Sequence, residues 1–335
     1  MHKLLEDVKN NILEYNLIQD KDKIIVGVSG GPDSMFLLHV LYTLQPVLKK
    51  ENIEYLIEVA HINHKIRKEA ICDQNLTRKY AESLGLTFHV LEFDVESEAK
   101  RLKIGTEECG RNVRYEFFKE VMKTSNATKI AVAHNAGDNA ETIMLNFLRG
   151  AGITGLSGME YKSSNIIRPI LDIAKEDILK YLDEANIPYA IDKTNLENIY
   201  TRNKVRNDLL VKIKNEYNPN IIKALNRMAK INRQDEEIIN EAVDNKYSKL
   251  NLNEEEGKII LNTLKFNEYT EAMRFRLVRK IIERLLGNTK DIEMIHIKDT
   301  CNLIKSNITG KQYILGNKYK VVITKKNIAT FTKNM

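Results

Sequence analysis

The chain has 335 residues, 43% hydrophobic and 29% charged, which suits two or three packed domains and excludes a disordered chain. Its net charge of +6 admits a polyanionic partner without requiring one. No apolar run approaches the ~18 residues of a membrane span, and the first residues do not look like a secretory signal. The three cysteines (Cys72, Cys109, Cys301) lie far apart without CxxC spacing, which argues against zinc or iron–sulfur chemistry and for a reducing, cytoplasmic setting.

An amphipathic helix is expected over residues 4–15, then a strand over 24–28. The strand runs into Ser29-Gly30-Gly31-Pro32-Asp33-Ser34, and a helix follows to about residue 48. Further strands are expected over 54–61, 87–93 and 129–133, with helices over 69–84, 106–122 and 140–148 between and after them. This alternation predicts an α/β domain with a parallel sheet, its ligands beyond the carboxyl ends of the strands. The alternation stops near Pro169. Residues 174–185 read as a helix, 194–206 as a polar stretch, and the chain from 220 as mainly helical, with an acidic loop around Glu254-Glu255-Glu256. Residues 271–286 form an amphipathic helix with Phe275, Val278, Ile282 and Leu285 on one face, 291–304 another helix, and 312–331 one or two strands. The expected division is a catalytic domain over 1–215, a helical domain over 216–310 and a short basic β-containing tail over 311–335.

The hexapeptide at 29–34 carries the first chemical signal. A glycine-rich turn between strand and helix lets the backbone approach an anion at a helix N-terminus, so it reads as a phosphate cradle. Ser29 and Ser34 add hydroxyls, and Asp33 could hold magnesium beside the phosphate. The Walker A spacing and the dinucleotide GxGxxG are both absent. A plain capped turn is the simpler alternative. After the second strand come His61, Asn63, His64 and Arg67, candidates for nucleotide contact or a surface turn over a buried His61. Arg111 and Arg114 share a helix face and suit phosphate or a substrate carboxylate. After the fourth strand, His134, Asp138 and Glu141 stand at a helix start, where acids serve as caps or, beside a metal–phosphate site, hold a metal or an amine. Residues 200–233 carry nine Lys or Arg against Asp208 and Glu216, and 302–335 seven Lys and no acid. Arg202, Lys204, Arg206, Arg227 and Lys230 are therefore candidates for polyanion contact.

Together these motifs resemble the PP-loop ATP pyrophosphatases and, within them, the tRNA(Ile)-lysidine synthases. The likeness runs in order through Ser29–Ser34, His61–Arg67, Glu108–Tyr115, His134–Thr142, Arg149–Met159, Arg168–Ile170, Asp192–Asn195 and Arg202–Arg206. The resemblance implies ATP and Mg2+, with Asp33 and Asp138 on the metal. It also implies two substrates, free L-lysine and a tRNA(Ile) with a CAU anticodon, and allows a homodimer. It implies adenylation of the wobble cytidine at its carbon-2 oxygen, then attack by the lysine side-chain amine with loss of AMP, giving lysidine and AUA decoding. In that scheme His134, Asp138 and Glu141 handle the amine, Arg111 lies near carboxylate or phosphate, and the basic residues hold tRNA. Cys109 stands where Ala is usual, and many relatives continue into a further C-terminal domain that 312–331 resembles in its opening strands. The rival readings are a PP-loop tRNA 2-thiolation enzyme and a non-catalytic ATP sensor.

Overall fold

The computed structural model describes residues 1–65, 70–190 and 201–334. They fall into two compact units, Met1–Arg233 and Gln234–Met335. The expected boundary near 215 lies inside the first unit. A helix runs unbroken over Ile221–Ser248, and its first half packs with the first unit through Ile221, Ile222 and Leu225 and through Asn226.

The sheet of the first unit holds β1 (Lys23–Gly27), β2 (Leu56–Asn63), β3 (Thr87–Glu92), β4 (Lys129–Ala131), β5 (Lys162–Ser163) and β6 (Ile166–Ile167) in the order β3-β2-β1-β4-β6-β5. Every pairing is parallel except that of β5 with β6. The last pair was not expected from the sequence, because two-residue strands carry no period-2 signal. Helices α1 (Lys3–Glu14), α2 (Pro32–Lys49), α3 (Ala70–Ser83), α4 (Val95–Leu102), α5 (Thr106–Thr124), α6 (Ala136–Leu148), α7 (Ile153–Leu156) and α8 (Lys175–Glu184) connect and flank the strands.

The sheet is covered on both faces, as its apolar strands require. Ile24 and Val26 point into a core shared with α1, α2 and α8, while Ile25 points the other way onto Phe117, Phe118 and Val121 of α5. Packing is tight at the end of β1, where a Cβ on Gly27 would lie 2.5 Å from Phe118 Cζ. The strand order reverses between β1 and β4, so the loops after these two strands part on either side of one crevice.

Beyond the sheet, the polar stretch ends in a helix: α9 (Thr201–Lys204), a π-helical turn over Val205–Leu209, and α10 (Leu210–Glu216). Val205 and Leu210 seat it against Ala140 of α6. Next comes α11 (Ile221–Ser248).

The second unit combines α12 (Thr263–Glu268), α13 (Glu271–Leu286) and α14 (Met294–Ser306) with an antiparallel sheet. That sheet comprises β7 (Asn253–Glu255), β8 (Lys258–Asn262), β9 (Gln312–Leu315), β10 (Tyr319–Lys325) and β11 (Ile328–Lys333), ordered β7-β8-β11-β10-β9. The acidic stretch at 254–256 is an edge strand and hairpin turn rather than a loop, and the C-terminal segment forms three strands instead of one or two. Leu277, Val278, Ile281 and Ile282 of α13 pack in one core with Tyr319, Val321 and Phe331.

Candidate active site

The turn after β1 is held open by its own side chains. Ser34 Oγ accepts from Ser29 N–H (3.1 Å) and donates to the Gly31 carbonyl (2.9 Å). Gly30 sits at φ +89°, and a Cβ there would press on Thr77 and Asp73 of α3 at 3.2–3.3 Å, so glycine is required. Gly31 caps α2 without a side-chain acceptor, and Pro32 occupies the first turn. The N–H groups of Asp33 and Ser34 thus lack intrahelical acceptors and suit a phosphate.

Asn135 ties the turn after β1 to the loop after β4. Its side-chain amide donates to Asp33 Oδ1 at 2.9 Å, while its Oδ1 accepts from the Gly137 and Asp138 N–H groups (2.8 and 3.1 Å). Asp138 Oδ2 accepts from Asn135 N–H at 3.1 Å, completing a capping box. This box starts α6 at Ala136, four residues earlier than expected. Burial pushes the Asp33 carboxyl upward; Lys175, 3.7 Å away, and the Asn135 hydrogen bond oppose that, and the nearby Asp138 charge adds to it.

Asp138 and Glu141 face the helix that begins at Thr201. Arg202 Nε lies 2.8 Å from Glu141 Oε2, and Arg206 reaches Glu141 through both Nε and Nη2. Arg206 Nη2 is also 3.0 Å from Asp138 Oδ1, with Arg202 Nη2 at 3.5 Å. Glu141 is almost wholly buried, at 3% exposure, so this pairing compensates its charge. Arg202 and Arg206, expected as tRNA contacts, here serve the acids. Of the other basic candidates, Lys204 and Arg227 are exposed, and Lys230 pairs with Glu14 at 3.0 Å.

The structure places His61 and Asn63 within β2, which runs to Asn63, rather than in a loop after it. His61 is buried, with Nδ1 2.8 Å from the Val28 carbonyl and its ring stacked near Phe88. The Asn63 amide donates to Gln74 Oε1 at 2.9 Å and its oxygen accepts from Lys65 N–H at 3.0 Å. Both side chains are thus engaged within the protein, His61 with the Val28 carbonyl and Asn63 with Gln74 and Lys65. Burial, with Arg114 and His61 nearby, lowers the His64 pKa to about 4. Its Nδ1 has no hydrogen-bond partner among the described residues. Arg67 lies outside the described residues, as do Asp192–Asn195.

Arg111, its guanidinium over the Tyr115 ring, lines a cavity of about 480 Å3 together with Glu107, His134, Thr142, Arg149, Arg168 and Arg202. Arg114 stands one turn along α5 and does not line this cavity. With Arg111, Arg149, Arg168 and Arg202 in its lining the cavity is strongly cationic, and Arg202 links it to the Asp138–Glu141 pair. His134 enters it as a neutral imidazole, its pKa driven down to about 3 by burial and by Arg168, Arg202, Arg111 and Arg114.

The structure adds Asn135, Lys175 and Arg168 to the residues expected at the site. The Asn135-x-x-Asp138 capping pattern is readable in the sequence; nothing local marks Lys175.

The PP-loop domain family (ATP_bind_3) matches residues 2–213. The tRNA(Ile)-lysidine synthase of Clostridioides difficile (strain 630) is 37% identical over 334 residues, 97% of this chain and 71% of that protein. That of Clostridium tetani (strain Massachusetts / E88) is 39% identical over 321 residues, 95% of this chain and 67% of that protein. Among solved structures, the U34-tRNA thiolase NcsA of Methanococcus maripaludis with its 4Fe-4S cluster aligns with a TM-score of 0.54 and 16% identity, over 68% of this chain and 77% of that one. That likeness is one of fold.

Proposed function

The chain belongs to the PP-loop proteins and, within them, to the tRNA(Ile)-lysidine synthase family; on that premise we propose that it joins free L-lysine to carbon 2 of the wobble cytidine in a tRNA(Ile) bearing CAU. The observation that carries this reading is the Asn135 bridge, which joins the phosphate cradle at Asp33 to Asp138 of the acid pair across the strand-order switch.

A cytosine carbonyl is urea-like and a poor electrophile, so its oxygen must first become a leaving group. The cytidine O2 attacks the α-phosphorus of ATP, forming an O–P bond and expelling pyrophosphate. The cradle at Ser29–Ser34 meets the charge that develops on the leaving phosphates with fixed N–H and O–H donors. The lysine amine then attacks carbon 2, the C–O bond breaks, and AMP leaves with its electron pair.

The attacking amine must first lose a proton, against a free pKa of about 10.4. Asp138 and Glu141 are the groups to receive the ammonium, in place of the guanidinium N–H groups they now accept. Arg111 and Arg149, which line the cavity, suit the lysine carboxylate or a phosphate. Magnesium suits Asp33 and Asp138, two carboxylates sharing one asparagine, with oxygen chemistry appropriate to a hard cation that would neutralise phosphate charge. Lys204 and Arg227 are exposed and suit tRNA phosphates.

The test combines the protein with ATP, magnesium, lysine and unmodified tRNA(Ile) bearing CAU, and digests the tRNA for mass analysis. Lysidine at the wobble position, with one AMP and one pyrophosphate per turnover, is the expected result. ATP cleavage without lysine on the tRNA would overturn the reading.

A further inference from the structure

Arg168, the last residue before Pro169 in the chain's Arg-Pro-Ile motif, is the side chain behind His134. It is 8% exposed, extends from the end of β6, and anchors its Nη1 on the Glu160 carbonyl at 2.8 Å. Its Nε lies 3.2 Å from His134 Nδ1. A guanidinium has donors only, so this contact requires an unprotonated Nδ1 with its lone pair toward Arg168. A neutral imidazole must then carry its proton on Nε2. His134 lines the cavity beside Arg202, and no other described residue bonds its ring.

We propose that Arg168 is a positioning residue that fixes His134 as an Nε2–H donor, so that His134 presents a hydrogen-bond donor to an oxygen of the substrate and does not act as the base for the amine. This rests on the lysidine-forming reading above for the identity of the substrate, in which the oxygens available are the cytidine O2, the phosphoryl oxygens of the adenylate and the lysine carboxylate. The surrounding charges point the same way. The charges that act on His134 are those of Arg168 just after β6, Arg202 from α9, and Arg111 and Arg114 from α5, all cationic, while Arg149 and the acid Glu107 share the cavity lining with it. A second proton on the ring would break the Arg168 contact and add a positive charge among four others. The division of labour follows: proton acceptance falls to the acids on α6, and donation to the imidazole at the opening of the same loop.

The test is long-range 1H–15N correlation on the full-length protein labelled at histidine, with His134 assigned by its loss in His134→Gln. In the wild type the expected pattern is a single Nε2–H tautomer that stays neutral from pH 8 to below about 5. In Arg168→Met the tautomers should mix and the ring should titrate closer to the ordinary histidine range. Lysine-dependent AMP release should fall about 100-fold, the size of a positioned proton donor's contribution. Arg168→Lys, also a pure donor, should restore the Nε2–H tautomer and most of that release. A proton on Nδ1 in the wild type, or an unchanged tautomer and titration in Arg168→Met, would overturn the proposal. If Arg168→Met does not fold, the wild-type tautomer and the Lys variant decide it. A wild type with the expected tautomer that places no lysine on tRNA would defeat the functional reading and leave the role of Arg168 standing.

Discussion

Both oxygens of Glu141 are taken by guanidinium groups, and Asp138 Oδ1 shares both of those groups. An ammonium ion can present three N–H donors to the same carboxylate oxygens, which makes the pair a receptor for the substrate amine. Asp138→Ala and Glu141→Ala should each lower lysine-dependent AMP release on the order of 100-fold. Release at the wild-type rate in either variant would remove that carboxylate from the reaction. These acids and the cradle were legible because each sits within a few residues of a strand end and a helix start. The arginines that hold the acids were seen only as positive charge. Their partners lie some sixty residues earlier in the chain, and a charge run does not say which carboxylate it will meet. A separation of 34 residues likewise hid the pairing of Arg168 with His134.

At the scale of elements, the core side of the sheet sets how β1 delivers its turn. Gly27 ends the strand against Phe118, so Gly27→Ala must displace a buried ring and should cost about 1–3 kcal/mol, read as a lower thermal midpoint. Phe118→Leu in the same chain should recover part of that loss; no recovery would place the strain elsewhere. At the other end of the sheet, Glu58 of β2 is nearly buried. Burial alone would raise its pKa, but hydrogen bonds from Lys23, Ser125 and His89 outweigh that and hold it at about 2. A carboxyl depressed on folding contributes stability above its unfolded pKa and loses it as pH falls. That contribution is lost as pH falls from 4.5 to about 2. Acid unfolding of Glu58→Gln should therefore be less steep below pH 4.5 than that of the wild type, and an identical profile would contradict the assignment. Periodicity made the long helices and the first four strands legible. It could not reveal β5 and β6, which are too short, or the helix at Thr201–Glu216, whose exposed polar face and π turn blur the 3.6-residue pattern.

Across the whole chain, the excess of positive charge is sorted by use. Arg202 and Arg206 are turned toward the acids of α6, and Lys230 toward Glu14, while Lys204 and Arg227 remain exposed. Charge counting alone put all five in one class. Binding of tRNA should weaken with salt. Lys204→Ala with Arg227→Ala should flatten the log–log slope by roughly 0.7–0.9 for each phosphate that the variant no longer neutralises. An unchanged slope would assign tRNA binding to other cations. Among the described residues no helix is long and apolar enough to cross a membrane. The central claim is that one crevice performs two ordered steps, adenylation at the cradle and amine attack at the acid pair. Its most direct test follows ATP labelled at the α-phosphate with tRNA(Ile) bearing CAU, first without lysine and then with it. The account predicts that label attaches to the tRNA as pyrophosphate appears, and is then released as AMP only when lysine is added. Pyrophosphate release that needs neither tRNA nor lysine, with no label on the tRNA, would contradict it.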